Sequence, residues 1–312
     1  MPVHDDLGTR MKEFYEGVPK TRLMRRTPVA IRIDGKAFHT FTRGFKRPFD
    51  EILVRSMQET AQYLCEHIQG CVLAYTQSDE ITLILVDYKT LDSSAWFDYE
   101  VQKLCSISAS MATMAFNQIF TGHIYTMMTH FHYMNPEDEW WDKEEVKKEY
   151  GLTDEDFELG SDFWDKRWTL YQQRMGTAMF DARAFNIPRE EVTNLIYWRQ
   201  LDATRNSIQM VGQANFSHKE LQGCSCNQIQ DMLHEQKGIN WNDFPTHLKR
   251  GSCVIRKWTT TVERKVIEQD FGEPEVREIA TRRSEWVIDK EIPIFKGEGR
   301  KYIEDLIQPE EE

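Results

Sequence analysis

From Thr27 to Asp34 the chain alternates, with Val29, Ile31 and Ile33 set against Ala30 and Arg32. A period of two predicts a strand, and Gly35 begins the turn that ends it. Lys36 to Pro48 is basic and aromatic without alternation, so it reads as a loop rather than the return strand of a hairpin. Pro48-Phe49-Asp50 has the form of a helix start, and Leu53, Met57, Ala61, Leu64 and Ile68 then recur at helical spacing until Gly70. Two apolar runs follow, Val72 to Tyr75 and Ile81 to Val86. The polar link Gln77-Ser78-Asp79-Glu80 between them predicts a hairpin. Val101, Leu104, Cys105, Ser108, Met111, Ala112 and Ala115 share one stripe of a second helix, whose small residues allow close packing on a sheet. Thr177 to Phe185 alternates as a fourth strand, and a polar helix runs from about Glu190 to Gln213.

Strand, helix, strand, strand, helix, strand is the split β-α-β order of an α+β fold: an antiparallel, ferredoxin-like sheet with helices on one face. The usual strand order of that arrangement puts the first strand beside the third. The first strand ends at Asp34 and its expected neighbour begins after Asp79-Glu80, so the carboxylates converge. Residues 1–255 are expected to form this domain, with an acidic insertion over about 135–170. Short β-like runs, Val254 to Thr261 and Trp286 to Phe295, mark 256–312 as a C-terminal extension.

Composition narrows the function classes. The net charge of −12 argues against a general nucleic-acid coat protein, because counterion release by Lys and Arg drives non-specific binding. Charge is segregated, however. Acids crowd Asn135 to Asp165, while Arg22, Arg25, Arg26, Arg43, Lys46 and Arg47 flank the Asp34 segment. Six cysteines and an acidic start without a leader-like apolar run point to a reducing cytosol. No stretch approaches the ~20 apolar residues that cross a bilayer, so no membrane partner is expected.

Two carboxylates on adjacent strand ends are a means of holding two divalent cations for phosphoryl chemistry. Mg²⁺ suits such a site because it accepts few protein ligands and completes its octahedron with water and substrate phosphate oxygens. At Gly35 the missing Cβ lets phosphate approach the backbone, and its carbonyl is a further ligand. The N–H groups of Gly35 to Phe38 offer a cradle for a triphosphate. Against this stands the plain reading of both segments as solvated turns. Cys224, Cys226, His218 and His234 offer four zinc-ligand types at an unusual Cys-x-Cys spacing, for which structural roles are the simpler explanation. The same holds for His123, His130 and His132, and Trp140-Trp141 and Trp164-Trp168 read as packing or oligomer contacts.

The segments Arg32-Ile33-Asp34-Gly35-Lys36-Ala37-Phe38-His39 and Tyr75-Thr76-Gln77-Ser78-Asp79-Glu80 together resemble the two signature segments of the tRNA-His guanylyltransferase family. Leu7-Gly8-Thr9-Arg10-Met11-Lys12, Phe45 to Asp50, Phe180-Asp181-Ala182-Arg183 and Trp198-Arg199-Gln200-Leu201-Asp202 extend the likeness in order along the chain. The resemblance implies a polymerase-type palm, addition of nucleotides to tRNA in the 3′-to-5′ direction, two Mg²⁺ ions, GTP, ATP or other NTPs, and a homotetramer. It implies Asp34, Asp79 and the Gly35 carbonyl as metal ligands, with Glu80 supporting the second position. Gly35, Lys36, Ala37, Phe38, His39 and Ser78 would contact the nucleotide, with Arg47 near the incoming phosphates and Lys103 a further phosphate contact.

One stretch departs from the family. Where eukaryotic members continue into His-Ile-Asn-Asn-Leu-Tyr-Asn, this chain reads Ala203-Thr204-Arg205-Asn206-Ser207-Ile208-Gln209. That resembles the guanylyltransferase-like branch of bacteria, archaea and phages, associated with template-dependent repair of tRNA 5′ ends rather than only with the extra G of tRNA-His. Two other readings stay open. A palm-fold nucleotide cyclase would act on NTP alone. A non-catalytic RNA-binding module would need stacking aromatics on its strands, which Ala30, Arg32, Ala74 and Thr82 do not supply.

Overall fold

A computed structural model describes residues 6–132, 160–267 and 275–308, together with 144 and 147. The expected acidic insertion lies largely outside these residues. In chain order the elements are α1 (Asp6–Met11), β1 (Val29–Gly35), α2 (Phe38–Phe41), α3 (Glu51–His67), β2 (Cys71–Gln77), β3 (Glu80–Leu85) and α4 (Val101–His132). Then come α5 (Gly160–Gln172), β4 (Phe180–Asn186), α6 (Arg189–Asn215), α7 (His218–Leu221), α8 (Cys226–Lys237) and α9 (Thr246–Arg250). Last are β5 (Ser252–Ile267), β6 (Glu275–Asp289) and α10 (Lys301–Ile307).

The six strands form one antiparallel sheet in the order β4-β1-β3-β2-β5-β6. Its first four carry the split β-α-β arrangement, with β1 beside β3 as the pattern predicts. The expected boundary between 255 and 256 falls inside β5, whose first residues pair with β2.

Helices α3 and α4 cover one face, burying Val29, Ile31, Ile33, Leu83 and Leu85 of the sheet. The N-cap of α3 is Asp50, whose carboxylate accepts the Leu53 N–H at 3.1 Å and the Tyr171 hydroxyl at 2.5 Å. The opposite face is covered too, which goes beyond the expected one-sided layer. Val192 and Ile196 of α6 and Ile303 and Ile307 of α10 pack on Ala30, Leu73, Tyr75 and Ile84. The reason is legible in β3, where every residue is buried: a strand buried on both faces needs a layer on each. The second half of α6 packs with α8 in a small separate core. Among the described residues no helix is long and apolar enough to cross a membrane.

Candidate active site

The site lies where β1 ends and the β2–β3 hairpin turns. Asp34 is directly opposite Glu80 on β3 and Asp181 on β4, so the three carboxylates share one sheet face. Gln77 pairs with Glu80, which leaves Ser78 and Asp79 as the turn. Gly35 N–H donates to the Asp79 carbonyl at 3.0 Å and locks the turn to the end of β1. The convergence expected of Asp34 and Asp79 is thus a hydrogen-bonded junction. A Cβ on Gly35 would sit 2.3 Å from the Phe38 ring, and that ring is wedged among Phe41, Phe116 and Phe180. Gly35→Ala is therefore expected to cost about 1–3 kcal/mol of stability and to misplace Asp34, measured by urea unfolding and by nucleotide addition.

Two non-glycine residues at this junction hold left-handed backbone: Ala37 at φ 56° and Ser78 at φ 51°. Such conformations are uncommon for side-chain-bearing residues and cluster where a fold fixes geometry for function. The Ser78 hydroxyl donates to Asp79 Oδ1 at 3.1 Å. Burial raises the Asp79 carboxyl above the ordinary range, and the Asp34 charge raises it further, against the lowering effects of its own backbone, Ser78 and His39. Paired acids that repel each other in a partly desolvated site are the electrostatic condition that a divalent cation relieves.

Glu80 has a different setting. Arg199 of α6 donates from Nε to Glu80 Oε1 at 2.6 Å, and the Arg32 guanidinium lies 3.9 Å from Oε2. Burial nonetheless leaves the Glu80 carboxyl raised, with both arginines pulling it down. Arg199 also donates to Asp202 Oδ2 at 2.9 Å and stacks on Trp198 with its guanidinium 4.5 Å from the ring centroid. The Trp-Arg-Gln-Leu-Asp stretch is thereby a brace behind the hairpin, a role that its i, i+3 Arg–Asp spacing on a helix allowed but that only the contact with Glu80 discloses.

The remaining expected site residues divide. Gly35 N–H is used by Asp79 and Lys36 N–H donates to the Met179 carbonyl at 2.8 Å, so these two amides of the expected cradle are already paired. Phe38 itself is a buried core residue. Arg47 lies away from the carboxylates in a separate cleft with Gln209, Gln213 and His218. Lys103 is not brought to the site. Its ammonium is 3.8 Å from Glu100 and 5.8 Å from the Phe97 ring, at the start of α4. Thr113 is the α4 residue whose hydroxyl meets Phe180, the β4 partner of Gly35. Lys103 is ten residues earlier, roughly 15 Å back along the helix.

Of the zinc-ligand types, none assembles: no group of three or more His, Cys, Asp or Glu residues that could hold a metal occurs among the described residues. His123 is hydrogen-bonded to Glu59 at 3.0 Å, and the His130 and His132 side chains lie outside the described residues. Trp168 packs on Tyr125, as the packing reading anticipated, while Trp140, Trp141 and the Trp164 side chain lie outside the described residues.

A pocket opens beside the hairpin. Its walls are Thr76, Gln77 and Ser78, then Phe49, Leu53 and Met57 by the start of α3, then Ala203, Asn206 and Ser207 of α6, and His247. Both His247 ring nitrogens are buried without a protein hydrogen-bond partner. Burial, reinforced by Lys290, pushes its pKa down to about 4, so it is a neutral ring with one donor and one acceptor. Sequence reading missed this residue, since one histidine in a polar stretch carries no local signal.

Comparison with known proteins decides the family. The family model described as tRNAHis guanylyltransferase matches residues 8–188, more than half of the chain. The chain belongs to that family. Within it the chain is 34% identical to a bacterial tRNA(His) guanylyltransferase-like protein in complex with ATP, covering 97% of this chain and 99% of that one at a TM-score of 0.69. A second bacterial guanylyltransferase-like structure, in complex with GTP, is also 34% identical, with the same coverage and a TM-score of 0.63. The tRNA(His) guanylyltransferase of Saccharomyces cerevisiae is 25% identical over 243 residues, 73% of this chain and 82% of that protein. This member of the tRNAHis guanylyltransferase family is accordingly a nucleotidyltransferase on a palm-type fold.

Proposed function

We propose that the protein adds nucleotides to the 5′ end of tRNA in the 3′-to-5′ direction, using GTP, ATP or another NTP and Mg²⁺. The observation that carries this reading is the junction of Asp34 and Asp79 across the Gly35 N–H···O=C bond, beside an open, largely apolar pocket. The donor set suits Mg²⁺: two carboxylates and the Gly35 carbonyl are a small oxygen set, with Glu80 already committed to Arg199. Two Mg²⁺ ions, when bound, supply charge stabilisation for both attacking and leaving oxygens.

The chain's own residues bind and orient. Ala37 to His39 receive triphosphate oxygens, and the apolar cavity with Asn206, Ser207 and neutral His247 takes a base. In the first stage an oxygen of the RNA 5′-monophosphate attacks the α-phosphorus of an NTP and pyrophosphate leaves. In the second the 3′-hydroxyl of an incoming NTP attacks the activated 5′-phosphorus and the nucleoside monophosphate leaves. An RNA that already carries a 5′-triphosphate begins at the second stage and releases pyrophosphate.

Thr204, in place of the eukaryotic motif's histidine, donates to the Gln200 carbonyl at 2.9 Å within α6, and Asn206 lines the cavity. This departure favours 5′-end repair over strict G addition to tRNA-His. The test is incubation with Mg²⁺, NTPs and 5′-truncated tRNAs whose opposing base either does or does not pair with the added nucleotide. Addition only where pairing occurs is the expected result. Addition of G to tRNA-His alone would reduce the activity to maturation, and a cyclic product from NTP without RNA would replace it with a cyclase.

A further inference from the structure

The end of α3 and the start of β2 bring two thiols together. Cys65 lies in the last turn of α3 and Cys71 is the first residue of β2, and their sulfurs are 3.6 Å apart. The link between them is a fixed turn. The Ile68 N–H closes α3 by donating to the Leu64 carbonyl at 2.9 Å, and the Cys71 N–H donates to the Ile68 carbonyl at 3.2 Å. Gly70 holds φ 79°, and a Cβ there would meet the Val86 carbonyl oxygen at 2.8 Å. The Val86 N–H in turn donates to the Gly70 carbonyl at 2.8 Å, which ties the turn to the chain just past β3. The backbone therefore holds the two cysteines face to face.

The two sulfurs differ in access. Cys65 is 2% exposed and Cys71 9%, and both line a groove together with His67, Gln69 and Lys89. A small oxidant entering that groove meets Cys71 first. Burial pushes the Cys65 thiol up, and the neighbouring Cys71 sulfur pushes it further, so Cys65 holds its proton while Cys71 reacts. The Cys71 sulfur also lies 3.6 Å from the Leu73 carbonyl, across the point where the β2–β3 register shifts. Side-chain rotation is enough to bring it onto Cys65. Cys253 is no rival partner, since it is buried in the opposite layer of the sheet beside Tyr302. Neither thiol serves the Asp34 and Asp79 site, which lies at the other ends of α3 and β2, roughly 25 Å away along the helix.

We propose that Cys65 and Cys71 are a redox-active dithiol, a modification site at which a peroxide joins the end of α3 to the start of β2. The Cys71 thiolate attacks one oxygen of hydrogen peroxide, the O–O bond breaks, and the other oxygen leaves as water with the thiol proton. Cys71 is then a sulfenic acid. The Cys65 sulfur attacks Cys71 Sγ, the S–S bond forms as the S–O bond breaks, and a second water carries off the oxygen with the Cys65 proton. Two thiols lose two electrons in all, and one peroxide gains them. A dithiol reductant reverses the bond by exchange, as suits a reducing compartment, where such disulfides are transient. Cys65 is the resolving partner that stops Cys71 from passing on to the irreversible sulfinic acid.

The test oxidises the folded, fully reduced chain with a small excess of hydrogen peroxide, alkylates the thiols left over, and digests it without reductant. Cleavage after Glu66 separates the two cysteines in sequence, so the expected result is that the two fragments stay joined and lack two hydrogens. Dithiothreitol should part them and restore both thiols. In Cys65→Ser the sulfenic acid on Cys71 should persist long enough to be trapped by dimedone, and longer exposure should give a sulfinic acid that dithiothreitol does not reverse. In Cys71→Ser the buried Cys65 should stay a thiol. The assignment is overturned if the parent's two fragments separate without reductant, whether Cys65 and Cys71 are found alkylated or carry added oxygen. It is likewise overturned if peroxide links Cys224 to Cys226, or two chains to each other, while Cys65 and Cys71 stay free. The decisive readout is on the parent, so it does not depend on either variant folding.

Discussion

Asp79→Asn is expected to lower nucleotide addition about a thousandfold or more while making the folded protein more stable at neutral pH. The first effect follows from the proposed function, in which Asp79 is one of two carboxylates that support charge stabilisation of the phosphoryl transfer. The second follows from the raised Asp79 carboxyl. A carboxyl that holds its proton more tightly folded than unfolded costs stability as pH rises from the ordinary aspartate value, about 3.9, through its raised folded value. Asparagine carries no such cost. The gain should therefore be full at pH 7 and vanish near pH 3, where both forms are uncharged. Urea unfolding of parent and variant at the two pH values, beside 5′-labelled tRNA extension, measures both effects. Full activity in the variant, or a stability gain independent of pH, would remove Asp79 from the role assigned to it.

Loss of Arg199 should be the most damaging change to stability near the site. Its guanidinium and the Glu80 carboxylate are both buried and 2.6 Å apart, so deleting one partner strands the other away from water. Arg199→Ala is expected to cost about 3–5 kcal/mol. The double replacement Arg199→Met with Glu80→Leu should recover much of that loss, because a well-packed apolar pair can match a buried ion pair. The cost of Arg199→Ala should also shrink at acid pH, where the stranded Glu80 takes up a proton. A denaturation series on the two single variants and the double variant checks this. A single-variant cost below about 1 kcal/mol would mean that the contact contributes no more than an exposed ion pair.

These two residues show how the site divides into a working part and a braced part. On the proposed function, Asp34, Asp79 and the backbone from Ala37 to His39 form the working part, on strand ends and a turn. Glu80, Arg32, Arg199 and Asp202 form the brace on the α6 side of the sheet. Glu80 follows Asp79 directly, and in the hairpin it pairs with Gln77 while its carboxylate is tied to α6. The turn is thereby held from two directions, by Gly35 on the β1 side and by Arg199 beneath.

Periodicity along the chain was enough to place β1, α3, the β2–β3 hairpin, α4, β4 and α6, and to bring Asp34 beside the hairpin, because strand alternation and helical stripes are properties of neighbouring residues. The boundary residues also carry local chemistry: Asp50 caps α3 with its own side chain. What periodicity could not supply is any contact between residues far apart in sequence. Glu80 was legible as a charged residue near the expected site, and the family resemblance implied Lys103 there too. Only the packing of α6 shows that Glu80 is tied to Arg199, and only the axial position of Lys103 on α4 shows that it lies too far back. The β-like runs after Val254 were visible, yet their merger into the main sheet and the ribbon beyond it depend on long-range pairing of β5 with β2 and β6. The sequence by itself determined the strand-and-helix order and the carboxylate pair at one sheet edge, since both follow from local pattern and a known topology. The tertiary structure alone decided which of those charges are free for chemistry, because neutralisation and burial depend on partners that the chain brings together only when it folds.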